Sequence, residues 1–429
     1  FCLDLPSWLI RLSSFTLIGV ILVDSLNRGN IPENLFMDSH TTVSYRRNAG
    51  FLERIGSSLM GILAGLALLL ISSGLLFWNE GRAVQTAKSL DEGFNIVVSL
   101  KTVDVASRDN NGKLVHLSGP LSTDKVLYDE AYGVSVQSVK LKRIVEMYQW
   151  VEHERKTEHN EGGKTRVETT YSYSQEWQSD LIRSNSFSDG FNHKNPTTMQ
   201  AESKNLEAYK VNVGQFELSK GLINKITKFH PLPLAYLNPP QDPRVRLFDG
   251  AIYHSNDPLH PQIGDLKVRF EYAGISGKSP LGPPTEVSIV ARQFGSELLP
   301  YKTLAGDELE LLYYGRLSTK EIFNKEKVQN TMVTWAIRFG GWLLMFIGFS
   351  LITSLITTIV DWIPIVRELV MMGVNLMNMA FSISLSLTVI AMGWIIYRPL
   401  LGISILALAL TPLFLSKFKS RESYRTRHD

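Results

Sequence analysis

Long stretches without a charged side chain bracket a central region in which apolar and polar residues alternate at short period. Residues 57–78, 339–360, 369–397 and 399–416 lack Asp, Glu, Lys and Arg over 22, 22, 29 and 18 positions. About 20 apolar residues in a helix cross a hydrocarbon core of roughly 30 Å. Soluble helices of that length keep a charged face. The pattern therefore predicts a multi-pass α-helical membrane protein with four transmembrane helices, one N-terminal and three C-terminal. Residues 361–368 are the loop between the second and third. Arg398 marks a tight turn before the fourth.

Between the first two runs, residues 79–338 read as a large β-rich α+β domain. Ala83, Ala87, Leu90 and Phe94 share a helical face next to the first crossing. Residues 96–100 and 114–117 read as strands joined by a turn at Asn110-Asn111-Gly112. Period-two alternation over residues 143–177, broken at Glu161-Gly162-Gly163, predicts a long hairpin. Tyr148, Trp150, Tyr171 and Tyr173 would pair across it. Further strands are expected at 264–273, 287–293 and 309–314. Residues 320–337 return to helical spacing and lead straight into the second crossing.

Charge adds the orientation. Residues 79–338 carry 32 Lys and Arg against 32 Asp and Glu. A neutral domain of this kind is not a nucleic-acid binder by bulk charge. Positive excess sits instead at the membrane flanks, at Arg46, Arg47 and Arg54 before the first run and at Lys417, Lys419, Arg421, Arg425 and Arg427 after the last. Basic flanks stay cytosolic. Four crossings would put residues 37–56 and the tail 417–429 on the cytosolic or nucleoplasmic side, and residues 79–338 in the lumenal or perinuclear space. The one cysteine, Cys2, lies outside that domain, so no disulfide staples it. Residues 1–36 read as a non-native or variable extension ahead of Met37.

Chemistry is sparse. Gly277-Lys278-Ser279 looks like the end of a phosphate loop, but Tyr272 stands where its first glycine belongs and Pro280 where its helix should start. His153 with His159, and His254 with His260, match no metal-ligand spacing. Glu152, Glu154, Glu158 and Glu161 cluster toward a charged hairpin tip. The reading is no catalytic, cofactor or metal site. Candidate residues are for helix packing instead. Ser57, Gly61 and Gly65 form a small-residue stripe suited to self-association or to docking on the C-terminal helices. Asn375 and Asn378, one turn apart, are suited to hydrogen bonds between helices.

Several segments also resemble one family. They are GFLERIG (50–56), NEGRAVQTAKSLDEG (79–93), VKLKRIVEMYQWVE (139–152), YSYSQEW (171–177), HKNP (193–196), GDLKVRFEYAGISG (264–277), VDWIPIVREL (360–369) and GWIIYRPL (393–400). In this order they resemble the LUMA, or transmembrane protein 43, family. The resemblance implies a four-pass protein of the inner nuclear membrane and endoplasmic reticulum. It implies a non-enzymatic scaffold that maintains the nuclear envelope, self-associates, and engages emerin and lamins. The alternatives are a channel or channel regulator, resting on Asn375 and Asn378, and a lumenal enzyme, resting on the glutamates and histidines.

Overall fold

A computed structural model describes residues 38–47, 51–161, 164–237, 242, 244–277, 279–360 and 364–400. The expected extension 1–36 and the tail 417–429 lie outside the described residues. So do residues 401–416 of the fourth apolar run. The chain divides into two compact units, one of residues 1–48, 144–203 and 241–269, the other of residues 49–143, 204–240 and 270–429.

The second unit contains three long helices: α1 (Phe51–Ile96), α2 (Thr319–Val360) and α3 (Pro364–Tyr397). Three candidate membrane spans run along them, Leu59–Ile96, Thr319–Ile356 and Glu368–Tyr397. This corrects the expected four-helix plan: among the described residues three helices are long and apolar enough to cross.

Both α1 and α2 outrun a bilayer. Their 46 and 42 residues correspond to about 69 and 63 Å. No proline interrupts residues 79–96 or 319–338, so each apolar run continues as helix into its polar flank. Leu90 of α1 and Ile322 and Phe323 of α2 are buried with Leu114, Val290, Leu309 and Leu311 in one core. The helices therefore supply part of the core of the β-rich half of this unit.

That half is a sheet in the order Leu311–Tyr314, Glu286–Phe294, Glu297–Leu299, Phe216–Leu218, Val211–Val213, Leu114–Thr123, Val98–Ser99. Glu286–Phe294 also pairs antiparallel with Leu114–Thr123, from Glu286↔Pro120 to Arg292↔Leu114, which closes five strands into a ring. Inward side chains such as Leu117, Leu121, Val213, Phe216 and Ile289 are fully or almost fully buried. Val98–Ser99 pairs parallel with Leu114–Thr123, so the two are not the hairpin expected there. Gly112 still takes the positive φ of a turn, +82°.

In the first unit the long hairpin is present. Residues of Ser138–Glu161 and Lys164–Gln178 pair from Met147↔Gln178 to Glu161↔Lys164. The register differs from the expected aromatic ladder: Tyr148 faces Trp177, Trp150 faces Gln175, and Tyr173 faces Glu152. Strand Asp38–Arg47, not foreseen in the sequence, adds antiparallel to Lys164–Gln178. A short hairpin, Val245–Phe248 with Ala251–His254, turns at Asp249 and Gly250, both with positive φ.

Candidate functional site

The feature that the sequence hides is a polar cluster within the second unit, placed where the uncharged runs end. Just inside the apolar part, Leu76, Met345 and Val389, one from each helix, form a buried layer. Three and four residues further along α1 come Asn79 and Glu80, and both are buried, at 0% and 1% exposure. Helix α2 brings Arg338 to Glu80, with Nε donating to Oε1 at 2.7 Å and Nη2 to Oε2 at 2.8 Å. Helix α3 brings Trp394, whose indole N–H donates to Oε2 at 2.8 Å. One carboxylate is thus shared by the other two helices. The Arg338 guanidinium also lies over the rings of Trp335 and Trp394, 4.8 and 5.6 Å from their centroids. Cation–π contact of this kind strengthens when water is excluded.

Removing a carboxylate and a guanidinium from water costs several kcal/mol each, and good geometry with all donors engaged is needed to offset it. Bidentate pairing of Arg with a carboxylate meets that demand. Glycine provides the room: a Cβ at Gly393 would stand 2.9 Å from Cβ and Cγ of Glu80, and one at Gly81 would stand 2.8 Å from the Tyr397 ring.

A second half of the cluster follows one turn further on. Arg82 donates to Asn330 Oδ1 at 3.0 Å, to Thr334 Oγ1 at 3.0 Å and to Asn79 Oδ1 at 3.2 Å. Asn79 Nδ2 donates to the Thr334 carbonyl, and Asn330 Nδ2 to that of Ala83. These bonds tie α1 to α2 side chain to backbone. The cluster offers no nucleophile beside a base. Its chemistry is that of a lock, fixing register and spacing of three helices at the edge of the apolar region.

The residues singled out from sequence fall as follows. Ser57 is helical, its side chain outside the described residues. Gly61 and Gly65 both face α2. A Cβ at Gly65 would stand 2.6 Å from the Gly348 carbonyl oxygen and 2.8 Å from Ile352, whereas one at Gly61 would make ordinary contact with Ser354 at 3.5 Å. Gly348 in turn opens onto the Gly65 carbonyl at 3.0 Å, so backbone meets backbone. Asn378 is buried, and its Nδ2 donates to Thr353 Oγ1 at 2.8 Å. Its Oδ1 is buried without a hydrogen bond. Asn375 is exposed on α3. The partner glycines Gly348 and Gly393 escaped sequence reading because nothing local marks which faces meet.

The histidine and glutamate candidates do not converge. His153 Nε2 pairs with Ser174 Oγ at 2.7 Å, and His260 with Asp257 at 2.8 Å on an exposed turn. Burial holds His254 below the usual imidazole range. Among the described residues no group of three His, Cys, Asp or Glu could hold a metal ion. In the first unit, Tyr173 and His193 stack at 3.7 Å and 8°, with Trp150 edge-on to His193. The Tyr173 hydroxyl donates to Glu152 Oε2 at 2.7 Å and accepts from the Asp189 amide. Burial and the Glu152 carboxylate push the Tyr173 phenol up to about 12.

The family described as Transmembrane protein 43 matches residues 147–399. The chain is 44% identical to Transmembrane protein 43 of Mus musculus over 379 residues, covering 88% of this chain and 94% of the relative. The same figures hold for the Homo sapiens protein. The Drosophila melanogaster homolog is 34% identical over 361 residues, 82% of this chain and 92% of its own length. No solved structure matches.

Proposed function

Since the chain belongs to the transmembrane protein 43 family, we propose that it is a non-enzymatic membrane scaffold. In this reading it resides in the inner nuclear membrane and endoplasmic reticulum. There it self-associates and organises complexes that include emerin and lamins. The observation that carries the reading is the junction of bundle and β-rich body. Two helices pass unbroken from the apolar region into a shared core, locked where they leave it by Glu80, Arg338 and Trp394. Such a part holds positions and performs no turnover. The family resemblance supplies the compartment and the partners.

Imaging the tagged full chain tests the compartment, with a nuclear rim and reticulum expected. Signal confined to the plasma membrane or mitochondria would refute it. Crosslinking in membranes followed by immunoprecipitation tests the partners. Recovery of emerin or a lamin, together with a second tagged copy of the chain, is expected, and recovery of neither overturns the scaffold reading.

A further inference from the structure

A cleft of about 540 Å³ lies on α1 beside the polar lock, lined among others by Trp78, Arg82, Gln85, Lys88, Ala305 and Tyr397. Its walls change character along the helix. Trp78 is the last residue of the uncharged run and is 56% exposed. Tyr397 closes the same level from α3, its ring 5.5 Å from that of Phe77. Exposed Trp and Tyr at the end of apolar helices mark the water interface of a bilayer. Arg82 lies four residues beyond Trp78, about 6 Å further along the axis, and Lys88 about 9 Å beyond that. The headgroup layer occupies roughly the first 5–7 Å outside the hydrocarbon. The first cation of the cleft therefore sits at headgroup depth, and the second is carried by a long side chain rooted about 8–10 Å beyond that layer, from which its ammonium reaches back toward it.

The charged side chains that line the cleft are both cations, Arg82 and Lys88. Glu80 is taken up by Arg338 and Trp394. Of the other acids nearby, Asp307 accepts the Gln85 amide at 2.6 Å and Glu92 the Leu304 amide at 2.9 Å. Arg82 spends Nη1 and Nη2 on Asn330, Asn79 and Thr334, which fixes the guanidinium plane, while its Nε is buried without a hydrogen-bond partner. Lys88 is exposed and lines the same space.

We propose that this cleft is a binding site for the headgroup of an acidic phospholipid. Its phosphate would sit between Arg82 and Lys88, and its acyl chains would run down past Trp78 and Ile396. The site goes beyond the scaffold reading and does not depend on it, since a bundle in any membrane would present the same cleft.

Native mass spectrometry of the full chain, released from nanodiscs of phosphatidylcholine with phosphatidic acid, tests the site. Preferential retention of phosphatidic acid is expected. A juxtamembrane cation contributes about fivefold to acidic-lipid affinity. Lys88→Gln should lower retention by that factor, and Lys113→Gln, at a distant exposed turn, should not. Arg82→Gln alone would be ambiguous because Arg82 also ties α1 to α2, so Lys88 carries the test. Equal retention of phosphatidylcholine, or wild-type retention in Lys88→Gln, overturns the proposal. Displacement of the lipid by millimolar inorganic phosphate would assign the site to a free anion and overturns it equally.

Discussion

Glu80→Leu is the most informative single change, because the carboxylate of Glu80 accepts three hydrogen bonds from two other helices. The Arg338 side chain is 14% exposed and that of Glu80 2%. Removing one partner leaves a buried guanidinium with no counter-charge, a loss of about 3–5 kcal/mol. The unpaired indole of Trp394 falls within that range and does not add in full. Arg338→Met should cost a similar amount by stranding the carboxylate. Replacing both, as Glu80→Leu with Arg338→Met, leaves no unpaired charge and should restore most of the loss, since apolar substitutes for a buried pair are often neutral or better. Thermal unfolding of the purified full chain in one detergent, followed by tryptophan fluorescence, reads this out as midpoints rather than free energies. Unfolding of a chain with two units need not be two-state. Both single variants should melt well below wild type and the double variant close to it. Additive losses in the double variant would refute the coupling, as would single variants that melt like wild type. Arg338→Lys should not rescue, because an ammonium cannot reproduce the paired N–H fork.

Gly65→Leu with Gly61→Leu keeps α1 apolar yet drives side-chain atoms into the Gly348 carbonyl. Carbonate extraction should show normal membrane integration while the melting midpoint falls, and an unchanged midpoint would mean the helices do not meet there. Asn378→Ala removes the bond to Thr353 and the unsatisfied Oδ1 together. Its cost should stay near 0.6 kcal/mol, and a loss several times larger in the same melt would contradict that balance. Tyr173 is held protonated, since its folded value of about 12 exceeds the usual 10. Its contribution to stability is complete below pH 10 and is lost as pH rises toward 12. Absorbance at the phenolate band should show Tyr173→Phe and wild type with the same transitions near pH 10, a difference appearing only toward pH 12. Loss of a transition near pH 10 in Tyr173→Phe relative to wild type would refute it.

The three apolar runs and the long hairpin were legible because each repeats one period over many residues. The lock was not. Glu80 and Arg338 read as ordinary flanking charges, since each stands next to an uncharged run and 258 positions separate them. A usable signal existed: an acid at the end of one run faces an arginine at the start of another, at the same expected depth. The closed ring of strands was equally hidden. Segments such as Val211–Val213, Phe216–Leu218 and Glu297–Leu299 are too short for alternation to show. The expected fourth helix falls almost wholly outside the described residues, among which three helices are long and apolar enough to cross. His193 drew no notice, having no patterned neighbour, yet it is 3% exposed against Tyr173 and Trp150.

The shared core of Leu90, Leu114, Val290, Ile322 and Phe323 also sets a timetable for biosynthesis. A ribosome delivers Leu90 and Leu114 some two hundred residues before Phe323. Until the start of α2 emerges, the strands of the ring have no lid over that part of their apolar surface. Contacts this far apart in sequence form slowly, and uncovered apolar surface in the meantime invites aggregation. The nascent β-rich body therefore waits on the second membrane helix, and a chain cut short before residue 319 would be released with its core open.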